Sequence, residues 1–116
     1  MIRIAYRKTR DVIEIRARGH SGTAEKGRDV VCAAVSALVC TFAVVLDNYA
    51  EACGAGDDIK IEMEDGRAYI RADRPSAYLE VAAETILTGL IKTADQWPEA
   101  VTVVELKKRG VRDDDK

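Results

Sequence analysis

The chain has 116 residues, 18 basic and 20 acidic side chains and a formal net charge of −2, so it is expected to form one domain with no broad cationic field for a polyanion. Hydrophobic residues make up 47% and charged residues 33%, the balance of a globular protein rather than a disordered one. Three cysteines, Cys32, Cys40 and Cys53, match neither a CxxC pair nor a zinc pattern, so free thiols in a reducing compartment are expected.

The opening stretch "IRIAYRK" places Ile2, Ile4 and Tyr6 on one side and Arg3, Ala5 and Arg7 on the other, the period of a half-buried strand. It also lacks the long apolar core of a signal peptide, and the expectation is a cytoplasmic protein. "DVIEIRARGH" repeats the alternation with Ile13, Ile15 and Ala17, and "TRD" joins the two strands as a hairpin. A polar, glycine-containing stretch, "GHSGTAEKGRD", follows. Val30 to Leu46 is then uncharged, with Asp29 placed to cap a helix that runs to about Ala52 and stops at Gly54.

So apolar a helix implies burial on two sides, by the sheet and by a partner subunit. A membrane span is disfavoured by its length, by Ser36 and Thr41 and by the missing basic flank. "DIKIEMEDGRAYIRAD" predicts a hairpin turning at Asp65-Gly66, a type I′ dipeptide. From Ser76, the residues Leu79, Ala82, Ala83, Ile86, Leu87, Leu90, Ile91 and Ala94 recur at helical spacing until Pro98. "AVTVVELKK" reads as a last strand. The expected fold is α+β, in the order ββαββαβ, a two-layer arrangement of a mostly antiparallel sheet with two helices on one face. Residues 1–108 form the single domain and residues 109–116 a charged tail.

The chemistry concentrates between the only histidine, His20, and Cys32. With Asp29 as the cap, Cys32 lies in the first turn of the helix, where unpaired backbone N–H groups and the positive end of the dipole favour a thiolate. The same N–H groups are available to an oxyanion. His20 ends the preceding strand, within reach of a loop that folds back, and would then serve as general base and acid.

Each residue has a plainer reading. Cysteine packs well as a small core side chain, and Cys40 and Cys53 are read as core outright. Asp29 caps, and its charge opposes thiol ionisation unless it orients His20 instead. Ser36, one turn after Cys32, bonds its own helix carbonyls in the ordinary case.

Other chemistries fit less well. "GTAEKGRD" has glycines spaced as in a P-loop, but Arg28 and Asp29 replace the Lys and Ser/Thr that meet phosphate and Mg²⁺. Leu38 stands where a cysteine phosphatase carries its arginine. One histidine without clustered acids leaves too few donors for a metal. No metal or cofactor is expected.

The stretch "RGHSGTAEKGRDVVCAAVSAL" resembles the signature of the Prp family of ribosomal-processing cysteine proteases: Gly-His, a glycine-containing loop, then Asp-(Ile/Val)-Val-Cys-Ala-(Ala/Gly)-x-Ser. The resemblance is close over Gly19 to Leu38, and the second half of the chain follows the family only in pattern. It implies a cysteine endopeptidase with His20 and Cys32 as its dyad. Gly19, Ser21, Gly22, Gly27, Asp29 and Ser36 take supporting or substrate-binding roles, Ser21 standing where many members have alanine. The implied partner is the precursor of a large-subunit ribosomal protein, the twenty-seventh, whose N-terminal extension is removed at a Phe-Phe-Ala-like sequence. The resemblance also implies a homodimer and a glycine loop that closes over substrate. A direct nucleic-acid site and a membrane site are not expected. A noncatalytic, ribosome-associated peptide-binding module remains the alternative reading.

Overall fold

The computed structural model describes residues 1–19 and 29–106. The elements run in the predicted order: β1 (Ile2–Lys8), β2 (Val12–Arg18), α1 (Val30–Cys53), a 3-10 turn over Gly56–Asp58, β3 (Ile59–Glu64), β4 (Arg67–Asp73), α2 (Ala77–Gln96) and β5 (Val101–Glu105). The five strands form one open sheet in the order β3-β4-β2-β1-β5, antiparallel except for the parallel β1–β5 pair. The predicted tail lies outside the described residues.

The hairpin β1–β2 closes as its sequence demands. The Thr9 hydroxyl accepts from the backbone N–H groups of Asp11 and Val12, each at 3.1 Å, so a side chain takes up the donors that the turn leaves unpaired. Alternation then sends Ile2, Ile4, Ile13 and Ile15 to one face, where all are almost completely buried. That face meets both helices.

α1 starts and stops where capping chemistry places it: Asp29 is extended at the N-terminus, and Gly54 adopts a left-handed φ of 66° after the last turn. Its buried residues, Val31, Val35, Val39, Phe42, Ala43 and Leu46, fall on one stripe. By length and composition α1 is apolar enough to cross a membrane, yet this stripe is committed to the sheet. Its opposite side is not covered by the described residues, and Val30 and Val44 stay exposed.

Cys40 and Cys53 correct the expectation of core thiols, for both are exposed. An all-apolar helix gives no periodic cue to its buried side, and position 40 falls off the stripe that Val39 and Phe42 occupy. Cys53 lies in the last turn, beyond the last buried residue, Leu46.

In α2 the Ser76 hydroxyl accepts from Leu79 N–H at 3.3 Å, and the helix ends at Gln96, two residues before Pro98. Thr93 is buried rather than Ile91, its hydroxyl donating to the Gly89 carbonyl at 2.9 Å so that no polar group is left unpaired. The Tyr49 and Tyr78 rings stack between the helices with centroids 5.8 Å apart.

The β3–β4 loop also differs in detail from expectation. Only Gly66 of the two loop residues has positive φ, at 80°. Type I′ needs positive φ at both residues, so the turn follows the type II pattern, in which glycine alone supplies it.

Candidate active site

The helix start fixes the thiol. Asp29 Oδ1 accepts from the backbone N–H of Val31 at 3.0 Å and of Cys32 at 3.1 Å, and the Asp29 carbonyl takes the first helical bond from Ala33 N–H. Cys32 therefore lies in the opening turn, half-buried, with Val31 buried beside it and the core behind. Asp29 is itself buried. The two amides expected to be available to an oxyanion are thus engaged by the cap.

Cys32 lines an open cavity of about 220 Å³. Its α1 side continues through Val35, Ser36, Val39 and Cys40, with Ser36 exposed as placed by the sequence. The end of β2, residues 17–19, forms one wall, and the β3–β4 turn, residues 63–68, forms another, with Ile2 between. Ile2, Val35, Val39 and Met63 make the lining suited to apolar side chains. The turn wall was missed by sequence reasoning: Asp65-Gly66 announces a hairpin, but its position opposite Cys32 depends on the pairing of β4 with β2.

Gly19 is required where it stands. Its φ is 103°, its N–H donates to the Gly66 carbonyl at 2.8 Å, and a Cβ would lie 2.3 Å from the Met1 carbonyl oxygen. The backbone just before His20 is therefore held in the wall of the cavity that contains Cys32. His20, Ser21, Gly22 and Gly27 lie outside the described residues. Among the described residues, no three of His, Cys, Asp and Glu come together as metal ligands.

A thiol set by a helix cap at the edge of an apolar groove, on a five-stranded α+β scaffold, has the form of a thiol-dependent peptidase. Comparison with known proteins makes this specific. The chain belongs to the cysteine protease Prp family, whose model matches residues 1–102, and it is a cysteine protease.

Among solved structures it is similar to the ribosomal processing protease Prp from Staphylococcus aureus in complex with a covalently linked product peptide, at 22% identity and a TM-score of 0.75, over 91% of this chain and 100% of that one. The same protease in complex with a substrate peptide gives 20% identity and a TM-score of 0.71, over 91% and 100% of the two chains. SMU.848 from Streptococcus mutans is similar at 26% identity and a TM-score of 0.65, over 91% of this chain and 94% of that one. No curated protein sequence matches the chain.

Proposed function

We propose that this protease removes the N-terminal extension from the precursor of the twenty-seventh large-subunit ribosomal protein, using Cys32 and His20 as a dyad. The observation that carries the reading is the placement of Cys32 in the opening turn of α1, lining the groove that Gly19, the residue before His20, also lines. The product and substrate peptides in the two S. aureus Prp structures support a polypeptide as the occupant.

In this mechanism His20 accepts the thiol proton as Cys32 Sγ attacks the scissile carbonyl carbon. The tetrahedral intermediate collapses to a thioester, and His20 returns the proton to the departing amine. Water then attacks the thioester, releasing the carboxylate product and restoring the thiol. Movement of the Asp29 carboxylate off the Val31 and Cys32 amides when substrate enters frees two donors for the oxyanion. Aromatic side chains beside the scissile bond sit against Ile2, Val35, Val39 and Met63. Ser21, Gly22 and Gly27 take supporting roles between the dyad residues in sequence, while Ser36 contacts the substrate from α1. The exposed Val30 and Val44 of α1 support a homodimer with that face covered, acting in the cytoplasm.

Incubation with a peptide spanning the precursor's cleavage site, followed by mass spectrometry, tests the reading. Two fragments are expected from the parent protein and none from Cys32→Ala or His20→Ala. Equal cutting by Cys32→Ala overturns the assignment, and tight binding with no cutting by the parent protein identifies a peptide-binding module instead.

A further inference from the structure

The two layers of the fold carry opposite charge. α1 and α2 hold Asp47, Glu51, Glu80, Glu84 and Asp95 against one cation, Lys92. On the helix-free face, the adjacent strands β4, β2 and β1 present Arg3, Arg7, Arg16, Arg18, Arg67 and Arg71 against two carboxylates, Glu14 and Asp73. The chain-wide balance of charge conceals this separation, because alternation along each strand sorts cations to the side away from the helices.

The register makes the separation costly. Arg3 pairs with Arg18, and Arg18 with Arg67, so three guanidiniums lie in one row across three strands. Like charges directly opposite one another destabilise a sheet. Arg3 and Arg18 are exposed and have no ion-pair partner among the described residues, and Arg67 reaches only Glu64, at 3.7 Å. The cations behind this row are held in place. Arg7, Arg16 and Arg71 lie 2.6, 3.7 and 3.5 Å from the buried Glu14 carboxylate, and Arg16 also lies over the Tyr69 ring.

The patch contains arginine and no lysine, and the planar guanidinium fork suits phosphate oxygens two at a time. Strands lie about 4.8 Å apart and same-face residues roughly 6.6 Å apart along each strand, so the cations form a lattice rather than a pocket for one anion. Such a lattice fits a repeating phosphodiester backbone. Arg18 and Arg67 line both the cavity of about 700 Å³ on this face and the groove holding Cys32, so the two surfaces meet at one edge. On its β3 side that cavity carries Asp57, Asp58 and Glu62, with Lys60 ion-paired to Glu62 at 3.5 Å, which confines the excess positive charge to β4, β2 and β1.

We infer that this face docks RNA through its phosphate backbone while a polypeptide occupies the groove. RNA is favoured over an acidic peptide on the reading that the substrate is a ribosomal protein, which is met among RNA, and because the strip is entirely guanidinium. The acidic helical layer turns away from the same polyanion and orients the protein upon it.

The test is fluorescence anisotropy of a short labelled single-stranded RNA titrated with the full chain carrying Cys32→Ala, so binding is read independently of cleavage. Binding that weakens steeply with salt is expected. Arg3/Arg18/Arg67→Ala in that background should lower affinity at least about tenfold and reduce the salt slope by about 2, since each phosphate contact on a single strand contributes roughly 0.7. If circular dichroism shows that the triple variant is unfolded, Arg3→Ala alone should reduce the slope by about 0.7. No RNA binding at low salt overturns the inference, as does binding by a folded triple variant, or by Arg3→Ala where the triple is unfolded, with an unchanged slope. Displacement of RNA by an equal charge concentration of polyglutamate reassigns the face to acidic protein and likewise overturns it.

Discussion

The Asp29 carboxylate joins the cap of α1 to the candidate nucleophile, because one oxygen, Oδ1, accepts from the backbone N–H groups of both Val31 and Cys32. Asp29→Ala should therefore cost about 1 kcal/mol of stability, the usual penalty for removing a capping side chain. Asp29→Asn keeps an acceptor in the same place and should stay within a few tenths of the parent. Urea melts of the three proteins read the difference directly. Equal midpoints for Asp29→Ala and the parent would show that the bond adds nothing.

Gly19 gives a sharper case. Its φ of 103° and the 2.3 Å approach of a Cβ to the Met1 carbonyl leave no room for alanine without moving β1. Gly19→Ala should lose about 1–3 kcal/mol and impair peptide cleavage beyond that loss, because the displaced backbone leads into His20. Thermal melts combined with cleavage at a temperature where both proteins remain folded separate the two effects.

Thiol reactivity should run against exposure. Cys40 and Cys53 are exposed while Cys32 is half-buried, so access alone ranks Cys32 last. An activated nucleophile reverses that order. Limited iodoacetamide treatment and peptide mapping should find Cys32 labelled first, and labelling in order of exposure would count against the dyad.

Alkaline pH should weaken the outer sheet. The Tyr69 hydroxyl donates to Glu14 at 2.5 Å; burial, then this bond, raises the Tyr69 pKa, with Arg71 pulling the other way. A raised folded pKa means that the neutral phenol's contribution is complete below the ordinary tyrosine value of about 10 and is lost as pH climbs through the folded value. Tyr6, raised by burial and by Glu105, adds to the same loss. Tyr69→Phe should cost about 1 kcal/mol at neutral pH, since the side chain is only partly buried, and should flatten the alkaline decline without abolishing it. Melting temperatures from pH 7 to above 10 provide the check.

Much of the scaffold was legible because local chemistry marks its boundaries. Asp29 and Gly54 bracket α1, and Ser76 and Pro98 bracket α2, through hydrogen bonds and φ values that depend only on near neighbours. The alternation of Ile2, Ile4, Ile13 and Ile15 likewise identifies the buried face. What escaped depends on distant partners. The burial of Glu14 follows from three arginines and a tyrosine converging across β1, β2 and β4, and a charged residue in an alternating strand gives no sign of it. The exposure of Cys40 follows from which way an evenly apolar helix is rotated. Cys32 could be singled out from the Gly-His and Asp-Val-Val-Cys spacing, but its opposite wall, the Asp65-Gly66 turn, becomes part of the groove only once β4 lies beside β2.

The parallel pairing of β1 with β5 joins residues 2–6 to residues 101–105, and the Ile2 N–H donates to the Ala100 carbonyl. β1 thus waits for β5, made much later in the chain, before its outer edge is closed. Until β5 has been made, β1 offers an unpaired ladder to any other nascent chain, so assembly is governed by late, long-range closure rather than by the early hairpin. Removing β5 should yield a sticky, aggregating product instead of a smaller working enzyme.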